Sequence, residues 1–150
     1  MNVDANKALV RRFYEEVWAR GNVGFAEEVF ADDYIRHDLR PTNAAAGAVG
    51  QALIAEQFRR AFPDLEWHVD LVLGDGDLVA ARWTASGTHF GAWDDVAPTG
   101  RRMTFSGVNI FRFGDGGKVV EIWNHRDDLG LREQLGAAVF AGARGPAEQS

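Results

Sequence analysis

The sequence has 150 residues, enough for one domain, and its 46% hydrophobic and 25% charged residues are ordinary for a globular protein. Its formal net charge of −6 argues against a nucleic-acid partner, which needs a basic surface, and the absence of cysteine excludes disulfides, thiolate nucleophiles and cysteine-ligated zinc. The amino terminus is polar and no stretch is long and apolar enough for a membrane span, so we expect a soluble, cytoplasmic protein without a membrane partner.

The first part of the chain shows apolar residues at helical spacing. A first helix is predicted over residues 4–21, a short second helix over 22–34 and a third over 50–62, where Pro63 ends it. Asp4 is the predicted cap at the start of the first helix and Gly21 its stop. Residues 35–50, rich in small side chains, are predicted to form the loop between the second and third helices.

The pattern changes to strict alternation after Pro63, which is typical of strands. Glycine-rich turns separate the first two strands and the last two, and a longer loop over residues 91–100 separates the middle pair. The predicted strands are 65–73, 78–90, 101–113 and 118–126, followed by a short helix over 127–136 and a flexible tail over 141–150. The sequence therefore predicts a single α+β domain over residues 1–150, in which a curved antiparallel sheet covered by the amino-terminal helices forms a cone-shaped barrel.

Two asparagines are candidates for a site inside this cone. Asn109 is the one polar residue on a strand face that alternation also gives to Met103, Phe105, Gly107, Phe111 and Phe113. A buried amide without partners costs about 1–3 kcal/mol, so Asn109 is either a satisfied core residue or a group aimed into a pocket. Asn124 shares a predicted face with Val120 and Ile122 on the next strand, so both amides could enter one apolar interior.

The remaining candidates are scattered along the chain. His37 follows the second helix, and His89 ends the second strand near the loop that holds Trp93, whereas alternation predicts that His68 is exposed. Asp127 precedes the last helix, where a cap is the simplest role. No histidine–carboxylate spacing matches a helical metal motif, so no metal is expected.

Several stretches of the sequence resemble the SnoaL-like polyketide cyclases, also called ester cyclases, which share the α+β cone of nuclear transport factor 2-like proteins. The resemblance covers most of the chain and is carried by "VRRFYEEVWARGN", "FADDYIRHD", "AFPDLEWHVD", "THFGAW" and "APTGRRMTFSGVNIFRFGDGGKVVEIWNHRDDLGLREQLG". It implies an intramolecular aldol closure that needs no cofactor. It is specific for the fold more than for the reaction, because one fold hosts several chemistries.

The resemblance also implies roles for individual residues. In the family an acidic residue on the last strand is the general acid/base, and this sequence has Asn124 at that position. An amide can hydrogen-bond a carbonyl or enol oxygen, but the base must be ionisable, so His37, His89 and Asp127 are the candidates. Asn109 matches an inward polar position of the family, and the two histidines match positions near the mouth of the cone.

We therefore expect an enzyme that closes a ring or isomerises a polyketide-like or other small apolar carbonyl compound, with no cofactor. Aromatic residues expected to hold a flat ligand are Trp67, Trp93, Phe105 and Phe111. Because Asn124 replaces the acid, the alternatives are a cofactor-free hydroxylase, an epoxide-opening enzyme or a non-catalytic ligand-binding protein. The outer side of the third strand, with Val108, Ile110 and Arg112, is compatible with a homodimer through the sheet.

Overall fold

The structure, a computed structural model, describes residues 2–38 and 47–137. The helices are α1 (Val3–Phe13), which continues as a π-helix over Tyr14–Ala19, α2 (Ala26–Val29), which follows a 3-10 turn over Val23–Phe25, α3 (Gly47–Ala61) and α4 (Asp128–Gln134). The strands are β1 (Phe30–His37), β2 (Glu66–Asp75), β3 (Leu78–Thr88), β4 (Arg102–Phe113) and β5 (Val119–Arg126). The predicted α+β class is confirmed, while the tail predicted over 141–150 lies outside the described residues.

The five strands form one curved sheet in the order β1-β5-β4-β3-β2. The predicted antiparallel pairing of the last four strands is confirmed, but β1 pairs parallel to β5 and makes the sheet mixed. The helical and loop assignments of residues 30–37 are therefore wrong. Phe30 and Tyr34 are both buried, and their spacing of four fits one face of a helix as well as one face of a strand.

Helix α1 and the π-helix pack across β2 and β3, while α3 packs against β1, so the helices cover the concave face of the sheet. Helix α1 begins at Asn2, whose side-chain oxygen accepts a hydrogen bond from the Ala5 amide at 3.1 Å. Asn2 and not Asp4 is thus the cap. Gly21 has φ of +77°, the left-handed conformation that ends a helix and favours glycine, as the sequence predicts.

Aromatic rings fill the space between the helices and the sheet. The rings of Phe13 and Phe30 are 5.2 Å apart and edge-on, and Phe111 meets Phe13 at 6.0 Å in the same geometry. All three side chains are at most 2% exposed. Burial of each such ring stabilises the fold by about 1.5–3 kcal/mol, so Phe111 belongs to the core that holds the sheet and the helices together.

A β-bulge at Asp70 changes which side chains of β2 face the core. Val69 lies opposite Trp83 and Leu71 lies opposite Arg82, so Asp70 is an extra residue without a partner in the register. One extra residue turns every following side chain to the other face. Strict alternation along residues 65–73 predicts that Leu71 and Leu73 share the face of Trp67 and Val69. This prediction is wrong beyond the bulge: Leu71 and Leu73 are 45% and 63% exposed, and Val72 is 7% exposed.

A similar irregularity opens β5, where Val119 is fully buried and Val120 is half-buried, the reverse of the predicted faces. On the convex outer face Val108 is 38% exposed, and its role in a homodimer stays a prediction. Among the described residues, none of the helices combines the length and the apolar character that a membrane span requires.

The bulge can be tested with two neighbouring truncations. We expect Val72→Ala to lower the free energy of unfolding by about 2 kcal/mol because it leaves a cavity in the core, and Leu73→Ala to change it by less than about 0.5 kcal/mol. Urea denaturation of both variants measures the difference. Strict alternation without the bulge predicts the opposite order of the two effects.

Candidate active site

Asn109 and Asn124 lie opposite each other on β4 and β5, on the concave face of the sheet. The Asn109 side-chain nitrogen donates a hydrogen bond to the Asn124 side-chain oxygen at 2.6 Å. Asn109 is 8% exposed and Asn124 is partly exposed. The two predicted amides therefore form one continuous polar connection from the core towards the surface.

The orientation of this amide pair is set by two donors in the core. Trp83 Nε1 and the Tyr14 hydroxyl both donate to Asn109 Oδ1, at 2.6 Å and 2.7 Å. An indole N–H can only donate, so the Asn109 atom that faces it must be the oxygen. The Asn109 nitrogen is then directed to Asn124, whose oxygen must face Asn109 and whose own nitrogen must point away.

Two local features of the sequence bring these donors to Asn109. Gly107 lies opposite Trp83, and a Cβ at position 107 would come within 2.4 Å of the Trp83 ring, so only glycine leaves room for the indole. Tyr14 is the first residue of the π-helix, a helix distortion that recurs at functional sites. Burial raises the pKa of Tyr14 well above its ordinary value, so its hydroxyl stays a protonated donor.

The outward end of the connection is a carboxylate that the sequence did not single out as a base. Asn124 Nδ2 donates to Asp38 Oδ1 at 2.9 Å, and Arg36 Nε donates to Asp38 Oδ2 at 2.8 Å. Asp38 follows β1 directly, and its side chain is 24% exposed. Because β1 runs parallel to β5, with His37 opposite Trp123, the next residue on β1 reaches the next residue on β5.

The sequence did contain a signal for Asp38. Phe30, Tyr34, Arg36 and Asp38 share the even positions of β1, and the first two are buried. Had β1 been recognised as a strand, its alternation would have placed Asp38 on the concave face. The sequence pointed instead to the neighbouring residue, His37, which lies on the other face.

None of the three predicted base candidates lies beside the amide pair. His37 is on the outer face, where its ring stacks on Trp123 at 5.2 Å and its Nε2 lies 2.8 Å from Glu121. This hydrogen bond from His37 is the main reason why the pKa of Glu121 is lowered. Asp127 caps α4, its oxygen accepting from the Gly130 amide at 2.9 Å, which is the simpler of its two expected roles.

His89 is completely buried at the far end of the sheet from Asn109. Ala81 lies opposite Asn109, and His89 follows eight residues later, about 26 Å along an extended strand. The Thr99 amide donates to His89 Nδ1 at 3.2 Å and the Thr99 hydroxyl lies 2.9 Å from the same atom. His89 Nδ1 is therefore an acceptor, and the ring is neutral with its proton on the buried Nε2.

The four predicted ligand-binding rings fall into three places. Trp93 and Phe105 each lie 5.9 Å from the ring of Phe58 on α3, and these three residues are called the aromatic wall below. Phe111 is in the core described above. Trp67 stacks between Trp18 and Trp83, at 4.5 Å and 4.2 Å.

Trp67 also lines a groove of about 300 Å³ between the π-helix and β2. The other lining residues are Arg11, Tyr14, Glu15, Ala19, His68 and Val69. His68 is exposed, as the alternation predicts, with 81% of its side chain accessible. Within residues 2–38 and 47–137, no three histidine or acidic side chains come together in a way that could hold a metal ion.

Comparison with known proteins agrees with this fold. The family model of the SnoaL-like polyketide cyclases matches residues 8–135, so the chain belongs to that family. TsrD from Streptomyces laurentii is 25% identical with a TM-score of 0.81, and the match covers 92% of this chain and 99% of TsrD. A comparison with functionally curated proteins gives no match.

Two further solved structures are similar over most of their length. AclR from Streptomyces galilaeus, a proposed hydroxylase, is 29% identical with a TM-score of 0.78, covering 90% of this chain and 83% of AclR. A proposed polyketide cyclase from Acidithiobacillus ferrooxidans is 29% identical with a TM-score of 0.74, covering 92% of this chain and all of its own. The family thus includes neighbours with different proposed reactions.

The buried neutral His89 makes stability depend on pH. Burial lowers its pKa below the ordinary value of 6.5, so the unfolded chain takes up a proton that the folded chain does not. The free energy of unfolding should therefore be fully maintained above pH 6.5 and should fall below it, by up to about 1.4 kcal/mol per pH unit.

Urea denaturation of the wild type and of His89→Gln between about pH 5.5 and pH 7.5 measures this effect as a difference in slope. His68→Gln is the matched control, because its imidazole is exposed and buries no charge. Equal slopes for the wild type and His89→Gln would contradict the assignment.

Proposed function

We propose that this protein is a cofactor-free acid–base enzyme acting on a polyketide-like or other small apolar carbonyl compound, and that Asp38 is its general base. The observation that carries the proposal is the hydrogen bond from Asn124 to Asp38, since it puts a partly exposed carboxylate beside the position where the family has its acid. Ring closure by an aldol-type reaction or isomerisation is the chemistry that such a base supports.

The proposed reaction needs only proton movement and the making of one bond. Asp38 removes a proton from a carbon next to a carbonyl, and the electron pair of that C–H bond forms an enolate. The enolate carbon attacks a second carbonyl carbon of the same molecule, and the electron pair of the C=O π-bond moves onto its oxygen. The proton held by Asp38 then neutralises this alkoxide, so no oxidant or reductant is consumed. In isomerisation the proton returns to a different carbon.

The surrounding residues fit these steps. Arg36 and Asn124 each hold one oxygen of Asp38, which fixes the direction of its free lone pairs. Positioning of the two reacting carbons contributes much of the rate in such closures. Asn124 thus acts by orienting the base, which is a role that an amide can fill.

An asparagine at position 124 is also what the neighbouring carboxylate requires. With aspartate at 124, two carboxylates would face each other at hydrogen-bond distance, and one of them would hold a proton near neutral pH. The pair would then lose its base or need a higher pH to ionise. With an amide on β5 and a carboxylate at the end of β1, the site keeps one carboxylate, Asp38, and one hydrogen-bond donor, Asn124.

The proposal predicts the outcome of a reciprocal exchange. Asp38→Asn should lower the rate of α-proton removal by about 100-fold or more, because no ionisable group remains beside Asn124. The double variant Asp38→Asn/Asn124→Asp should recover at least about tenfold over Asp38→Asn, since it restores one carboxylate and one amide. The single variant Asn124→Asp should shift the pH–rate profile upward. The measurement is deuterium exchange at the α-carbon of aryl methyl ketones, followed by NMR.

Asp33→Asn is the matched control, because Asp33 is an exposed aspartate on the same strand. An exchange rate for Asp38→Asn equal to that of Asp33→Asn would remove Asp38 from the mechanism. Equal rates for the wild type, Asn124→Asp and Asn124→Ala would show that the residue at position 124 takes no part in the mechanism. No exchange above the protein-free rate with any ketone would favour a ligand-binding protein.

A second candidate is cofactor-free hydroxylation, favoured by the 29% identity with the proposed hydroxylase AclR. In that reaction the carbanion formed by Asp38 would react with dioxygen in place of a second carbonyl, giving a hydroperoxide after protonation. Loss of water from this hydroperoxide would leave one oxygen on the carbon as a C=O group, whose enol form is the hydroxylated product, so no reductant is needed. An oxygen electrode separates the two, because ring closure and isomerisation consume no oxygen. Oxygen uptake that requires both the ketone and Asp38 would establish the second candidate.

A further inference from the structure

Arg126 extends the row of polar residues on the concave face beyond Asn124. It lies two positions after Asn124 on β5, so the two side chains share one face with their Cα atoms about 6–7 Å apart. Opposite Arg126 on β4 is Gly107, which has no side chain to cover it. The Arg126 side chain is 28% exposed, so part of it is accessible to solvent.

The guanidinium of Arg126 is held in a fixed orientation by two contacts. It lies over the ring of Phe58, a member of the aromatic wall, with its central carbon 5.0 Å from the ring centre. Its Nε and Nη2 atoms each lie 3.2 Å from one oxygen of Asp128. In the described part of the chain, no acceptor takes the hydrogens of Nη1, so this edge of the guanidinium is available to a ligand.

Proton removal by Asp38 creates a negative charge that needs a partner. The charge moves from the carbon to the carbonyl oxygen, and donors aimed at that oxygen lower the barrier most when they are already oriented. Arg36 is committed to Asp38 and its side chain is only 9% exposed. Arg126 is the more exposed of the two cations, with 28% of its side chain accessible against 9% for Arg36.

We propose that Arg126 binds the oxyanion of the substrate, with the Nη1 edge donating to an enolate or alkoxide oxygen. The catalytic role of this contact rests on the proposed function, in which Asp38 removes the proton. The ligand class it defines is a small carbonyl compound that carries an anionic oxygen, with that oxygen at the guanidinium. Asp128 is then a positioning residue that orients Arg126.

A dye that ionises at such an oxygen tests the proposal without any turnover. The probe is 2-hydroxyanthraquinone, whose visible absorption changes when its hydroxyl ionises. The wild type should bind the ionised dye about tenfold or more tightly than the neutral dye, because a charge-assisted hydrogen bond forms only with the ionised oxygen. Arg126→Gln should abolish this preference, and Arg126→Lys should keep part of it because the charge remains.

Arg112→Gln is the matched control. Arg112 is on β4, its side chain is 39% exposed, and it pairs with Asp77 and Glu121 on the outer face. The preference should be unchanged in this variant. Because Arg126→Gln removes the guanidinium that forms the ion pair with Asp128, the double variant Arg126→Gln/Asp128→Asn is measured beside it, and thermal unfolding identifies variants that do not fold.

The results separate this proposal from the function on which it rests. It is overturned if the wild type does not prefer the ionised dye, if folded Arg126 variants keep the preference, or if Arg112→Gln loses it equally. If the preference for the ionised dye depends on Arg126 but Asp38→Asn exchanges the α-proton at the normal rate, Asp38 is not the base and the oxyanion site at Arg126 stands. If Asp38→Asn loses α-proton exchange but the preference for the ionised dye does not depend on Arg126, the oxyanion site alone is rejected.

Discussion

The hydrogen bond from the Trp83 indole to Asn109 fixes the direction of every polar contact at the site. Because an indole N–H can only donate, it holds the Asn109 oxygen inward and the Asn109 nitrogen outward. The Asn124 amide must then turn its nitrogen to Asp38. A reversal at any point would set two donors or two acceptors against each other at low dielectric, which costs about 1–3 kcal/mol for each unmet group. The carboxylate is thus oriented from the core outward.

The parallel pairing of β1 with β5 explains how a carboxylate comes to lie beside the amide at position 124. The end of β1 brings Asp38 to within 2.9 Å of the Asn124 side chain. The same pairing sends the preceding residue, His37, to the outer face, where it binds Glu121. One step along the strand therefore separates a group that can serve the site from one that cannot.

Charge and apolar surface are arranged side by side on the concave face. Two arginines flank the amide pair, each bound to its own aspartate, so the site carries fixed cations without a large net charge. The buried ring of Phe58, which contacts Trp93 and Phe105, lies under one of these cations. A few oriented polar groups among apolar side chains are the usual design of a small-molecule site. On this common fold, the particular polar groups decide the reaction.

The sequence by itself determined the α+β class, the order of the hairpin strands, the inward face of β4, the exposure of His68 and the cap at Asp127. These follow from local alternation, turn residues and capping, which are properties of neighbouring residues. Only the tertiary structure decided the strand β1, the bulge at Asp70 and the meeting of Asp38 with Asn124. Each depends on pairing between distant segments, and the spacing of Phe30 and Tyr34 fits a helix as well as a strand. The position of the candidate base was therefore set by sheet pairing, because the local pattern of residues 30–38 does not by itself distinguish a strand from a helix.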